Sequence, residues 1–293
     1  MDSINETSAR ECRFLDESYF EELYHAFLYA FSDYVMPFDL SEVQFRNHIV
    51  TNGVDLNRSI GCFRDGRLIG FTMNGFGMWQ GVPTVYDAGT GVFPEYRRQG
   101  LGVAMFEKIL AEFVPQGYQQ CLLEVITTND NAVGLYRKLG FGTTRTLGLL
   151  HCPGALKFDD LAAEPVELRE IGTPDWEYYR SFWDGEPSWQ NTPESIDRSR
   201  VKKRFIGAYR GKTCVGYIVF SSKVGRVAQL AVAPEYRRRG IGRQLMTAMI
   251  DEMSENYVPQ VINIDRSIKS ANAFFENRGF TEKLAQFEMK CVA

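Results

Sequence analysis

The nine residues PEYRRQGLG, Pro94 to Gly102, return as PEYRRRGIG from Pro234 to Gly242, with seven of the nine unchanged. The copies start 140 residues apart in a chain of 293. Each follows a β-type run ending Val-x-Pro and leads into a helix-type run, so the phrase marks one joint of a larger unit written twice. Single cores tend to divide near about 250–300 residues, which favours two domains of ordinary size. A content of 44% hydrophobic and 24% charged residues supplies apolar material for both cores.

The order of elements repeats as well. In the first half a short β-type CRFL precedes an amphipathic helix, with Phe20, Leu23, Tyr24, Phe27, Leu28 and Phe31 at helical spacing behind an Asp16 cap. A second helix, SEVQFRNHIV, opens at Ser41 and ends at Asn52-Gly53. SIGCFRDGRLIGFTMNGF reads as a hairpin turning at Asp65-Gly66, and TVYDAGTGV as a further strand. After the phrase come the helix VAMFEKILAEFV, the strand QCLLEVI, the helix NAVGLYRKLG and a closing strand. Residues 153–165, PGALKFDDLAAEP, read as a linker. The order then restarts with the strand VELREI, the helices PDWEYYRSFW and IDRSRVKKRF, a hairpin turning at Arg210-Gly211 and the strand RVAQLAV. The helix RQLMTAMIDEMS, the strand QVINI, the helix SANAFFENRG and two closing strands follow, and residues 186–193 read as a loop. The expected fold class is α+β, a mixed sheet with helices, written as domains 1–152 and 166–293.

A net charge of −4 and a pI near 5.6 give no general pull toward nucleic acid or anionic lipid. No run approaches the roughly 20 apolar residues of a membrane span. The start, MDSINETSARE, lacks the basic and apolar pattern of a targeting peptide, so a cytoplasmic location is expected. Six scattered cysteines without a C-x-x-C pair read as reduced, mostly buried thiols rather than a disulfide framework. His25, His48 and His151 have no ligand-type neighbour at i+3 or i+4, and no metal site is expected.

The phrase itself suits an anion. Gly100 and Gly102 let the backbone approach a ligand, the free N–H groups of a helix start point at it, and Arg97 and Arg98 add charge. A nucleotide P-loop needs Lys-Ser/Thr after the last glycine, where Val103 and Ala104 stand. The dinucleotide fingerprint needs a third small residue where Met105 and Leu245 stand. A pyrophosphate held by another kind of loop remains, against the bland reading of a tight turn with solvated arginines.

The pattern V-x-P-E-Y-R-R-x-G-x-G, joined in the first half by N-x-x-A-x-x-x-Y-x-x-x-G-F over Asn129, Ala132, Tyr136, Gly140 and Phe141, resembles the GCN5-related N-acetyltransferases. The resemblance covers nearly the whole chain, one domain per half. It implies that the loop residues Arg97, Arg98, Gln99, Gly100, Leu101, Gly102 and Val103 bind the pyrophosphate of acetyl-CoA. It also implies that Thr90, Gly91 and Val92 pair with pantetheine and that Asn129 touches the coenzyme. Glu124, twelve residues before Tyr136, matches the glutamate that in ribosomal-protein N-acetyltransferases of this family accepts a proton, and Tyr136 matches the tyrosine that donates one. Asp87 is a rival base. The chemistry needs such a pair, because an amine attacks a thioester only when uncharged and the leaving thiolate needs a proton. A backbone N–H near Val92 would polarise the carbonyl.

In the second half the corresponding coenzyme residues are Leu230, Ala231 and Val232 on the strand and Arg238, Arg239, Gly240, Ile241, Gly242 and Arg243 on the loop. Aligned on Gly279-Phe280, however, Phe275 stands opposite Tyr136, Ile268 opposite Asn129 and Asn263 opposite Glu124. This half reads as catalytically weakened, a second binding site or a structural partner. The expected function is acetyl transfer from acetyl-CoA to a small-molecule or peptide amine through a ternary complex, with no nucleic-acid or membrane partner and an intramolecular contact between the domains. A coenzyme-sensing module without transfer, or activity confined to the second half, are the alternatives. Phe31, Asp33, Tyr34, Phe38 and Asp39 could line a pocket for a cationic amine, although aromatics at helical spacing more often form core.

Overall fold

The computed structural model describes residues 10–33, 40–157, 163–254 and 257–292. Two compact units emerge, Met1–Thr143 with Met289–Ala293, and Thr144–Glu288.

The first unit runs β1 (Arg10–Phe14), α1 (Phe20–Ala30), α2 (Glu42–Asn52), β2 (Ile60–Arg64), β3 (Arg67–Trp79), β4 (Val82–Val92), α3 (Leu101–Phe113), β5 (Gln120–Ile126) and α4 (Asp130–Lys138). Local chemistry sets these bounds. The Asp16 side chain caps a single 3-10 turn that leads into α1. Ser41 and Gln44 form a reciprocal capping box at α2, and Gly53 ends it at φ 68°. Asp65 and Gly66 both adopt positive φ, as a two-residue hairpin turn requires.

The strands lie in the order β1-β2-β3-β4-β5. All neighbours are antiparallel except β4 and β5, which are parallel. Leu23, Phe27, Phe45, Phe71 and Met73 form a core between α1, α2 and one sheet face, each such side chain contributing about 1.5–3 kcal/mol by leaving water. Opposite, Phe106 of α3 meets the rings of Tyr136 and Phe141 edge-on. One irregularity matters for the site. The register of β3 against β4 passes from Met73–Gly89 to Asn74–Asp87, leaving Ala88 as an extra residue. The β4–β5 pairing stops there too, its last pair being Asp87–Leu123.

The second unit takes β6 (Gly142–His151) from Thr144 onward, then β7 (Glu167–Glu170), α5 (Trp176–Arg180), α6 (Pro193–Arg198), β8 (Arg204–Arg210) and β9 (Thr213–Ser221). It continues through β10 (Arg226–Val232), α7 (Ile241–Glu252), β11 (Gln260–Asp265), α8 (Lys269–Glu276) and β12 (Thr281–Val292). Its strands are ordered β7-β8-β9-β10-β11-β6-β12.

Several elements depart from the sequence reading. The compact units do not coincide with a chain cut at 152 and 166, because β6 is laddered to β11, with Leu150 opposite Val261 and Leu147 opposite Asp265. Conversely, β12 stands next to β5 in the strand order, and its residues from Met289 on belong to the first unit. One strand, rather than two, therefore follows α8. The helix expected over IDRSRVKKRF starts earlier and ends at Arg198, since Thr192 caps it, Pro193 occupies its first turn and Ser199 is extended. Within the expected linker, residues 158–162 lie outside the described residues, as do the first nine.

Cys12 and Cys62 face each other on β1 and β2 and are joined as a disulfide, a correction to the expectation of six thiols. Adjacent antiparallel strands bring such a pair within bonding reach, which spacing along the chain cannot reveal. The other four cysteines are free and buried. Among the described residues no helix is long and apolar enough to cross a membrane.

Candidate active site

The repeated phrase folds into nearly the same backbone twice. A 3-10 turn, Pro94–Tyr96, is followed by Arg98 at φ 62° and Gly100 at φ 83°, and α3 begins at Leu101 with no side-chain cap. In the second unit Pro234–Tyr236, Arg238 at φ 62° and Gly240 at φ 77° precede α7 in the same way. Two left-handed residues two positions apart, opening an uncapped helix, turn successive N–H groups toward one side.

The structure divides the loop's labour more finely than the motif does. The Arg97 guanidinium donates to the Val92 carbonyl at 3.1 Å, to the Ala30 carbonyl at 2.8 Å and to both oxygens of Asp33. It thereby clasps the loop to α1. Arg237 does the same in the second unit, donating to the carbonyls of Val232 and Phe182 and to Asp184. The next residue, Arg98 or Arg238, stands at the left-handed position of the loop. Gln99 folds back on the Glu95 carbonyl. The glycines differ too: a Cβ on Gly102 would stand 2.7 Å from Leu135 Cδ2 of α4, whereas no described atom lies within 4 Å of one on Gly100. Gly102 thus permits the approach of α4, and Gly100 leaves the space above the loop open, as a close-lying diphosphate requires.

Beyond Asp87 and Leu123 the strands β4 and β5 no longer pair, so the peptide groups of β4 through Thr90, Gly91 and Val92 lack a β5 partner on that edge. Adjacent residues of β4 point to opposite faces, and each meets a member of the expected constellation. On one face Asp87 accepts from the Tyr136 hydroxyl at 3.1 Å, from the Thr90 hydroxyl at 2.9 Å and from the Gly89 amide at 2.9 Å. On the other the Tyr86 hydroxyl donates to Glu124 Oε2. Tyr136 is buried at 7% exposure and Asp87 at 8%. Burial pushes the Asp87 carboxyl up to about 6, against the lowering effect of its three donors. Glu124 and Tyr136 therefore flank the strand gap from opposite faces. Asp87 holds the phenol, and Tyr86 holds the glutamate; nothing in the sequence beyond period-two alternation signals that Tyr86 contact.

Other expected residues are placed as follows. Asn129 caps α4, its Oδ1 accepting from the Ala132 amide. Phe31 packs on Phe27 and Asp33 pairs with Arg97, while Tyr34, Phe38 and Asp39 lie outside the described residues. In the second unit Phe275, at 4% exposure, fills the place of a phenol by packing on Phe280, and Asn263 sits buried on β11 at φ 61°. Among the described residues no cluster of three or more His, Cys, Asp or Glu side chains could hold a metal.

Residues 15–141 match the Acetyltransferase (GNAT) family and residues 188–293 match the Acetyltransferase (GNAT) domain. The chain belongs to the GCN5-related N-acetyltransferases and carries two such domains in tandem. Among relatives, the [ribosomal protein bS18]-alanine N-acetyltransferase of Escherichia coli K12 is 44% identical over 50 residues, 17% of this chain and 34% of that one. An N-alpha-acetyltransferase of Sulfurisphaera tokodaii is 30% identical over 100 residues, 31% of this chain and 59% of that one. The chain thus spans between a third and three fifths of these relatives' lengths. A GCN5-related N-acetyltransferase from Sphaerobacter thermophilus shares the fold at a TM-score of 0.72 and 15% identity, over 97% of this chain and 95% of that one. A tandem GNAT protein from the clavulanic acid biosynthesis pathway does so at 0.71 and 13%, over 97% and 98%. At such identities the likeness concerns fold alone.

Proposed function

We propose that the first unit transfers an acetyl group from acetyl-CoA to an amine by direct attack, with both substrates bound together. The observation that carries this is the strand gap after Asp87–Leu123, with a carboxylate on one face and a phenol on the other, beginning beside an open phosphate loop. The coenzyme would supply an activated acyl group and a thiol leaving group. The main-chain amides of Gln99–Val103 hold its diphosphate, with Arg98 adding charge. The unpaired edge of Thr90–Val92 holds its amide-bearing arm as an added strand would.

Glu124 takes the proton of the ammonium so that the nitrogen lone pair is free. Tyr136 gives its hydroxyl proton at the sulfur, and the amide at Val92 donates to the carbonyl oxygen. Asp87 is a positioning residue: it holds the Tyr136 hydroxyl from the side away from Glu124, and the hydroxyl turns its one proton from Asp87 to the sulfur as the thiolate leaves. One relative is a [ribosomal protein bS18]-alanine N-acetyltransferase and the other an N-alpha-acetyltransferase, so peptide N-termini are the first acceptors to try, alongside small amines.

The test is release of coenzyme thiol from acetyl-CoA across a panel of N-terminal peptides and small amines. Amine-dependent release, reduced in Glu124→Gln and Tyr136→Phe, supports the reading. Coenzyme binding without release on any amine would instead make the chain a sensor.

A further inference from the structure

The second copy of the phrase has the backbone of the first but different company. Ala163 lies directly over it: a Cβ on Gly240 would stand 2.7 Å from the Ala163 Cβ, where Gly100 has open space among the described residues. The Glu164 amide donates to the Arg239 carbonyl at 2.9 Å. The Glu164 carbonyl accepts from the Gln244 side chain, also at 2.9 Å. Its carboxylate bridges Arg210 and Arg239, each at 3.0 Å. An anion thus sits at this loop, supplied by the chain.

The strand gap of the second unit is filled as well. β10 carries its extra residue, Ala228, where β4 carries Ala88, and its pairing with β11 ends at Val227–Val261. Gln229 donates to the Asn191 carbonyl at 2.6 Å, and the Asn191 side chain donates to the Ile262 carbonyl of β11 at 2.8 Å. Asn191, at 3% exposure, therefore spans from one parted strand to the other.

We propose that the second unit takes no coenzyme A, because Ala163–Glu164 closes its phosphate loop and Asn191 closes its strand gap; the chain then binds one coenzyme, at the first unit. This rests on the coenzyme reading of the first unit. A carboxylate tethered a few residues from β7 competes at an effective concentration of about millimolar or more. Displacing residue 191 to admit a ligand would strip the Gln229 side-chain amide of the Asn191 main-chain carbonyl and the Ile262 carbonyl of the Asn191 side-chain amide.

Calorimetric titration of the full chain with coenzyme A is expected to give one site. Gly100→Asp, which sets a carboxylate in the open space over the first loop, is expected to abolish it. Two sites in the wild type, or a site surviving in Gly100→Asp, overturns the proposal. Amide exchange at Glu164 is expected to be slow and unchanged by saturating coenzyme A; acceleration by the coenzyme means the segment is displaced and overturns it. A wild type that binds none would remove the coenzyme reading of the first unit. Closure of the second loop would then be decided at the Glu164 amide, where protection sustains it and exchange as fast as an exposed loop refutes it.

Discussion

Tyr136 and Asp87 are the residues on which chemistry and stability meet. Tyr136→Phe keeps the ring against Phe106 and Phe141 and removes only the hydroxyl. Turnover is therefore expected to fall by about 10²–10³, the scale of a lost acid catalyst, with the coenzyme dissociation constant unchanged. An equal turnover would take Tyr136 out of the reaction. Asp87 titrates near 6 when folded and near 4 when unfolded, so the folded state holds that proton more tightly. Its contribution is fully present below about pH 4 and is lost as pH rises through about 6, amounting to roughly 3 kcal/mol. Relative to the wild type, Asp87→Asn should gain about 2 kcal/mol in denaturant unfolding between pH 4.5 and 7.5, a gain absent if Asp87 is not buried as a shifted acid. The spacing of Glu124 and Tyr136 was legible in the chain. That they lie on opposite faces, each held by a neighbour on β4, was not, because alternation along a strand says which residues share a face but not what waits there.

At the scale of elements, the loop, its helix and the paired strands behave as separate devices. Gly102→Ala sets a methyl 2.7 Å from Leu135 and is expected to cost about 1–3 kcal/mol of stability, read as a fall in melting temperature. Gly100→Asp, with no described neighbour within 4 Å, should lose only the about 1–2 kcal/mol of placing a side chain at φ 83°, while abolishing coenzyme binding. The two variants exchanging these effects would reverse the roles assigned to the glycines. The β1–β2 ladder offers a chemical check: alkylation of the unfolded, unreduced chain is expected to label four of the six cysteines, and six labels would show Cys12 and Cys62 as thiols. Caps and turns such as Ser41, Gly53 and Asp65-Gly66 were readable because they act within a few residues. The arginine clasp was not, since Arg97 and Asp33 are 64 positions apart.

For the whole molecule, the repeat in sequence is not a simple repeat in space. A chain ending at Glu288 lacks the Met289–Ala293 segment that belongs to the first unit, so the first unit should become less heat-stable although residues 1–143 are intact. Unaltered heat stability would mean that segment contributes nothing there. The sequence by itself determined the element order up to the last strand, the duplicated turn and its glycines, and the loss of the phenol at Phe275, because propensity, capping and spacing are local properties written in consecutive residues. Only the tertiary structure decided which unit receives β6, which parted strand pair is bridged and which arginine of each loop is tied to main-chain carbonyls. Those outcomes depend on partners distant along the chain, such as Asp33 for Arg97 and Asn191 for Gln229, and chain order places no constraint on which distant group arrives.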